Sequence, residues 1–123
     1  MLYYIDDIRP TPEGWTRYRT VNGFTSDLAA RRITIDRAAF SFDHDAGDYE
    51  PHGGDYINAL RSLVMWANAW RETPAEIRFH SDNPVGVENM RAIVRSAIKV
   101  GMVSMRECDG TDGIMIKGSF INV

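Results

Sequence analysis

Three short apolar runs constrain this chain most, because each one stops abruptly at polar chemistry. Leu2 to Ile5 runs into Asp6-Asp7-Ile8-Arg9-Pro10, Ala38 to Phe42 into Asp43-His44-Asp45-Ala46-Gly47, and Ile77 to Phe79 into His80-Ser81-Asp82-Asn83-Pro84. Compact runs with little polar alternation suit strands buried on both faces, the pattern of a parallel sheet covered by helices. If the three are neighbouring parallel strands, their polar ends fall together at the carboxyl edge of one sheet. That edge is where open α/β sheets bind ligands.

The segments between these runs support the same architecture. From Asp55 to about Arg71, Tyr56, Leu60, Leu63, Ala67 and Trp70 recur at helical spacing, with Asp55 as the expected N-cap. A second helix follows Pro84, capped by Asp82 or Asn83. Its inner stripe is Met90, Ile93, Val94, Ala97 and Ile98, and Gly101 is its expected stop. A shorter helix is expected over residues 22–32. Trp15, Arg17 and Arg19 alternate with Thr16, Tyr18 and Thr20, a period of two that suggests an edge strand. Strands alternating with helices predict an α/β domain, three-layer and flavodoxin-like, with a mainly parallel sheet. After Gly101 the pattern changes. Met102 to Met105 and Ile114 to Ile116 flank Asp109-Gly110-Thr111-Asp112-Gly113, which reads as a hairpin, and Ser119 to Val123 adds a further extended piece. An exposed strand edge there invites a homodimer contact.

Composition narrows the classes of function. At 123 residues the chain fits a single domain with a real core. The formal net charge of -3 gives no footprint for duplex DNA. It leaves open a nucleotide or an RNA end held in a local pocket. The basic residues are 12 Arg against 2 Lys, and Arg suits bidentate phosphate contacts. Cys108 is the lone cysteine, so no intrachain disulfide forms, as expected of a cytoplasmic protein. Asp6 and Asp7 interrupt the N-terminal apolar stretch, so no signal peptide or membrane span is expected.

The polar segments carry chemistry of their own. Clustered carboxylates at strand ends are hard oxygen ligands suited to Mg²⁺, Mn²⁺ or Ca²⁺, and Asp6, Asp7 and Asp43 are the candidate set. His44 and His80 are candidates to move protons, with Asp45 beside His44. Arg9, Ser81 and Asn83 are candidates to hold a phosphate, the last two at a helix start. A metal-free route using two histidines remains an alternative to a metal-assisted one. The bland readings are that Asp6 and Asp7 cap a turn, and that Ser81 and Asn83 only start a helix.

Taken together, "IDDIRPTPEGW", "RTV" before a short helix, "FSFDHDAGD" and "IRFHSDNPVGVENM" resemble the cyclic-phosphate processing receiver-like family. The resemblance covers roughly residues 1–100, leaving about 101–123 as a C-terminal extension. It implies a response-regulator receiver fold turned to RNA-end or nucleotide chemistry. By that resemblance, Asp6 and Asp7 match a receiver's acidic pair, Asp43 or Asp45 its acceptor region and Ser81 its hydroxyl. Neither Lys99 nor Lys117 stands where a phosphorelay receiver has its lysine, which argues against ordinary relay signalling. The expected function is hydrolase-like processing of a cyclic phosphate on a nucleotide or RNA end, with Mg²⁺ or Mn²⁺. The alternative is a non-catalytic module that binds a phosphorylated ligand or a protein partner, as a phage-type inhibitor would.

Overall fold

In the computed structural model, residues 1–43, 56–80, 83–107 and 115–117 are described. Four strands run parallel: β1 (Leu2–Ile5), β2 (Thr16–Tyr18), β3 (Ala39–Phe42) and β4 (Glu76–Phe79). Two more, β5 (Met105–Glu107) and β6 (Met115–Lys117), are antiparallel. The sheet order is β2-β1-β3-β4-β6-β5, so the three apolar runs are adjacent and parallel, as their composition predicts. Three helices complete the fold: α1 (Val21–Ala29), α2 (Tyr56–Trp70) and α3 (Pro84–Lys99).

The strand register sorts side chains between two faces. Tyr3, Ile5, Phe40, Phe42, Ile77 and Phe79 enter the core. Phe24 of α1 meets Phe40, Phe42 and Tyr18 edge-on, and Tyr3 stacks on Phe40. Burying one such ring is worth about 1.5–3 kcal/mol. α1 packs against α2 and α2 against α3, so the three helices lie side by side over this face. The opposite face carries Tyr4, Ser41 and Arg78 in one register row. No helix among the described residues covers that face, so the second helix layer of the three-layer expectation is not found there. The receiver-like α/β class, with its mainly parallel sheet and added hairpin, is what the chain adopts.

Helix ends explain where boundaries differ from expectation. Thr20 caps α1 through Gly23 N–H at 3.0 Å, and Asn83 caps α3 through Gly86 N–H, also at 3.0 Å, with Pro84 in the first turn. The expected Asp55 cap lies outside the described residues. At the end of α3, Gly101 N–H donates to Ile98 O and Met102 N–H to Ala97 O, with Gly101 at φ 80°. This is a Schellman closure. It ties Met102 to the helix, and β5 begins only at Met105 rather than at 102. α1 and α2 close the same way, but with Arg31 and Arg71 in the left-handed position, both at φ 56°. α1 therefore ends at Ala29, short of the expected 32. The expected extended piece at 119–123 lies outside the described residues.

Candidate functional site at the carboxyl edge

The strand ladder continues one residue past each apolar run and pins the site in a row. Asp6 N–H donates to Tyr18 O (3.1 Å), Asp43 N–H to Ile5 O (3.0 Å) and His80 N–H to Phe42 O (2.9 Å). Each of these residues is thus the first beyond its strand, held by its neighbour's backbone. His44, Asp45 and Ser81 lie outside the described residues.

Asp6 is the anchor of the edge. It is fully buried, and its Oδ1 accepts from the backbone N–H of Ile8 (2.8 Å) and of Arg9 (3.1 Å). Its Oδ2 lies 2.9 Å from His80 Nε2 and 4.0 Å from Arg9 Nε. Burial alone would push this carboxyl up. The two backbone donors and the His80 contact outweigh it and hold the carboxyl below its ordinary range. Arg17 Nε donates to the Asp6 carbonyl at 2.9 Å, fixing the backbone at the same residue.

A ligand atom from each of Asp6, Asp7 and Asp43 lies within 4.8 Å of the other two. These are the three carboxylates singled out in the sequence, and the fold brings them together. Three hard oxygens, one of them held ionised by backbone donors, are a fitting donor set for Mg²⁺ or Mn²⁺. Tyr56, the first residue of α2, is buried against this cluster. Burial, then the charges of Asp7, Asp6 and Asp43, raises its phenol well above the usual value, so it stays a neutral donor, to Arg19 O at 2.5 Å. Arg9 adds a fixed positive charge beside the carboxylates and donates from its guanidinium to His80 O.

His80 sits differently from its sequence-based expectation. It lies at the end of β4 yet reaches Asp6 at the end of β1, across the intervening strand β3. Its ring stacks on Tyr4, centroids 4.3 Å apart and only 4° from parallel, and its Nδ1 lies 2.7 Å from Ser41 Oγ. Burial, only partly offset by Asp6, lowers its pKa below 6.5, so the ring is neutral at pH 7. Both ring nitrogens are engaged inside the protein. The Ser41–His80–Asp6 chain has the residue types of a hydrolytic triad. Ser41 is only 2 % exposed on a sheet face, so it cannot act as a nucleophile on a substrate.

Asn83 accepts the Gly86 N–H through its side-chain oxygen as the cap of α3, which begins just beyond β4. Ser41, Tyr4, Arg17 and Tyr56 were not among the sequence candidates. Ser41 had a signal: it is the one polar residue inside the run Ala38 to Phe42. Two grooves among the described residues lie elsewhere. A groove of about 650 Å³ runs between α2 and α3, lined by Ile57, Val64, Met65, Ile93 and Val100 among others. Another of about 550 Å³ lies by Asn68, Arg71 and Ser104. Neither includes a residue of the carboxylate cluster.

A parallel sheet in the order β2-β1-β3-β4, with acidic residues after β1 and β3, defines a receiver-like domain. The chain belongs to the cyclic-phosphate processing receiver domain family, whose sequence model matches residues 1–96. No curated protein and no solved structure matches it. No helix among the described residues is long and apolar enough to cross a membrane.

Proposed function

We propose that the carboxyl edge processes a cyclic phosphate on a nucleotide or RNA end, with a divalent cation held by Asp6, Asp7 and Asp43. The observation that carries this reading is the convergence of those three carboxylates, joined to the family's description. A divalent cation at such a site supplies charge neutralisation on phosphate oxygens and makes a bound water more acidic. The chain's own residues do the rest. Asp6, kept ionised by Ile8 and Arg9 N–H, gives the site a fixed negative ligand. Arg9 contributes positive potential for the phosphate.

Hydrolysis requires a water oxygen to form a new P–O bond while one ring P–O bond breaks. A base takes the water's proton, and an acid supplies one to the leaving ribose oxygen. His44, with Asp45 beside it, is our proposed proton-transfer group. His80, with both nitrogens bonded internally, is better suited to hold Asp6 than to exchange protons with substrate. That same engagement favours the second reading, a module that binds a cyclic phosphate without turnover.

The test is incubation of the purified chain with a 2′,3′-cyclic nucleotide and with an oligoribonucleotide ending in a cyclic phosphate. Both are run with Mg²⁺ or Mn²⁺ and with EDTA. Turnover that EDTA abolishes is the expected result. Saturable binding without turnover under either cation selects the binding module.

A further inference from the structure

We propose that the sheet face beside the carboxylate edge is a base-stacking subsite, in which Trp15 takes the terminal nucleobase of a single-stranded RNA end. The proposal deepens the reading above, which leaves open a free nucleotide or an RNA end, and rests on it for the place of the phosphate.

The face opposite the helices carries one row across four strands: Arg17, Tyr4, Ser41 and Arg78. Trp15, two residues before Arg17, packs on the same side, its ring 6.1 Å from that of Tyr4 and 76° from parallel. Such an edge-on contact fixes a ring's orientation without being a face-to-face stack. Trp15 is half-buried, whereas Tyr4 is buried and has His80 stacked on it. Trp15 is thus the aromatic ring that this row presents to a ligand. The tryptophans of α2 are arranged differently. Trp66 and Trp70 stack on each other at 4.7 Å, and Arg31 closes over Trp70 at 4.1 Å. Arg78 stands 6.0 Å from the Trp15 ring centroid, at the outer limit of a cation–π contact. It flanks the ring rather than capping it.

Charge and continuity argue for the occupant. Arg78 is exposed, with its Nε donating to Glu76 at 2.7 Å. Arg17 is held through the Asp6 carbonyl, and Arg9 stands at the edge itself. Arginines on either side of an aromatic ring suit a strand of RNA, whose phosphates meet the cations while a base stacks on the ring. Aromatic residues on an open sheet face bind unpaired bases in other RNA-recognition modules. A paired base already has its faces stacked, so the strand must be single. The row also runs into the candidate site: Tyr4 stacks on His80 at 4.3 Å, and His80 reaches Asp6. A ribose whose phosphate meets the carboxylates would carry its own base toward Trp15.

The experiment measures binding of a 5′-labelled single-stranded oligoribonucleotide ending in a 3′-phosphate, by fluorescence anisotropy in Mg²⁺. It is repeated with an oligomer whose last nucleotide lacks its base. The wild type should bind the abasic end roughly tenfold more weakly. Trp15→Leu, with its fold checked by circular dichroism, should bind both ends alike, at the wild type's abasic level. Trp15→Phe should keep part of the preference. Arg78→Gln should flatten the dependence of affinity on salt. Equal binding of both ends by the wild type, or no binding of either, overturns the proposal. So does a Trp15→Leu variant that still prefers the end with its base. An unchanged salt dependence in Arg78→Gln overturns the part given to that residue. If cyclic ends are never turned over or preferred, the cyclic-phosphate reading fails, while the preference for a terminal base still decides the stacking subsite.

Discussion

The parallel strands and the β5–β6 hairpin share one sheet but are organised for different ends. β1, β3 and β4 pair along their full length, and their carboxyl ends deliver Asp6, Asp43 and His80 to one row. β6 pairs with β4 at Glu76↔Ile116 and Ile77↔Met115, running the other way. Lys117 therefore follows toward the amino edge, and Lys99 ends α3, whose N-terminus is the end that leaves β4. Arg9, from the loop after β1, places a positive charge beside Asp6. The hairpin also lies outside the matched residues 1–96. The family's segment carries the candidate site, and the added hairpin extends the sheet.

The contrast can be broken most forcefully in the core. Phe40→Ala removes a fully buried ring under β1 and α1 and should cost about 3–5 kcal/mol in a denaturant titration. Cation binding at the edge should weaken with it. Met105→Ala empties a buried position of the hairpin and should cost about 2–3 kcal/mol, yet leave Mn²⁺ affinity unchanged. Loss of Mn²⁺ binding in Met105→Ala would show that the hairpin supports the site after all. At the edge itself, Asp7→Asn and Asp43→Asn should each lower Mn²⁺ affinity by at least roughly tenfold in calorimetry, with little change in melting temperature.

Acid should act on the site through His80 and then Asp6. His80 has a folded pKa below the ordinary 6.5, so the unfolded chain takes up that proton first. Stability of the cation-free protein should fall as pH drops below about 6.5 and level off under the folded value. Asp6 is also depressed, from 3.8, so its contribution is present above that pH and is lost as pH falls through its folded pKa. Melting curves across pH should show the first loss in the wild type and lack it in His80→Gln. The smallest effect is expected far from the site. Arg71 is exposed and left-handed at the end of α2, where glycine carries no penalty. Arg71→Gly should stabilise by about 1 kcal/mol.

Much of this was legible, for identifiable reasons. The three apolar runs gave the central strands because burial on both faces leaves little room for polar residues. Asp6, Asp7 and Asp43 were legible as a group because each follows such a run. Gly101 marked the end of α3, whereas Arg31 and Arg71 gave no sign that α1 and α2 close with the same turn. That the described helices all lie over one face was hidden, because the pattern of a buried strand does not say what covers each face. Tyr4 and Ser41 are shielded partly by His80 stacked and bonded there. The inward engagement of His80 was hidden too, since it depends on a contact 39 residues away in sequence.

The central place of β1 has a consequence for how the chain folds. β1 pairs on one side with β2 and on the other with β3, which ends at Phe42. It joins no hairpin, so nothing local rewards its ordering. Until β3 emerges, Leu2 to Ile5 has at most β2 beside it, and its other edge is unpaired. Such non-local pairing favours slow closure and transient exposure of that segment. Asp6 and Asp7, the same residues that later form the edge, end this sticky stretch with two charges. They give the nascent chain a measure of protection against association before they have any site to serve.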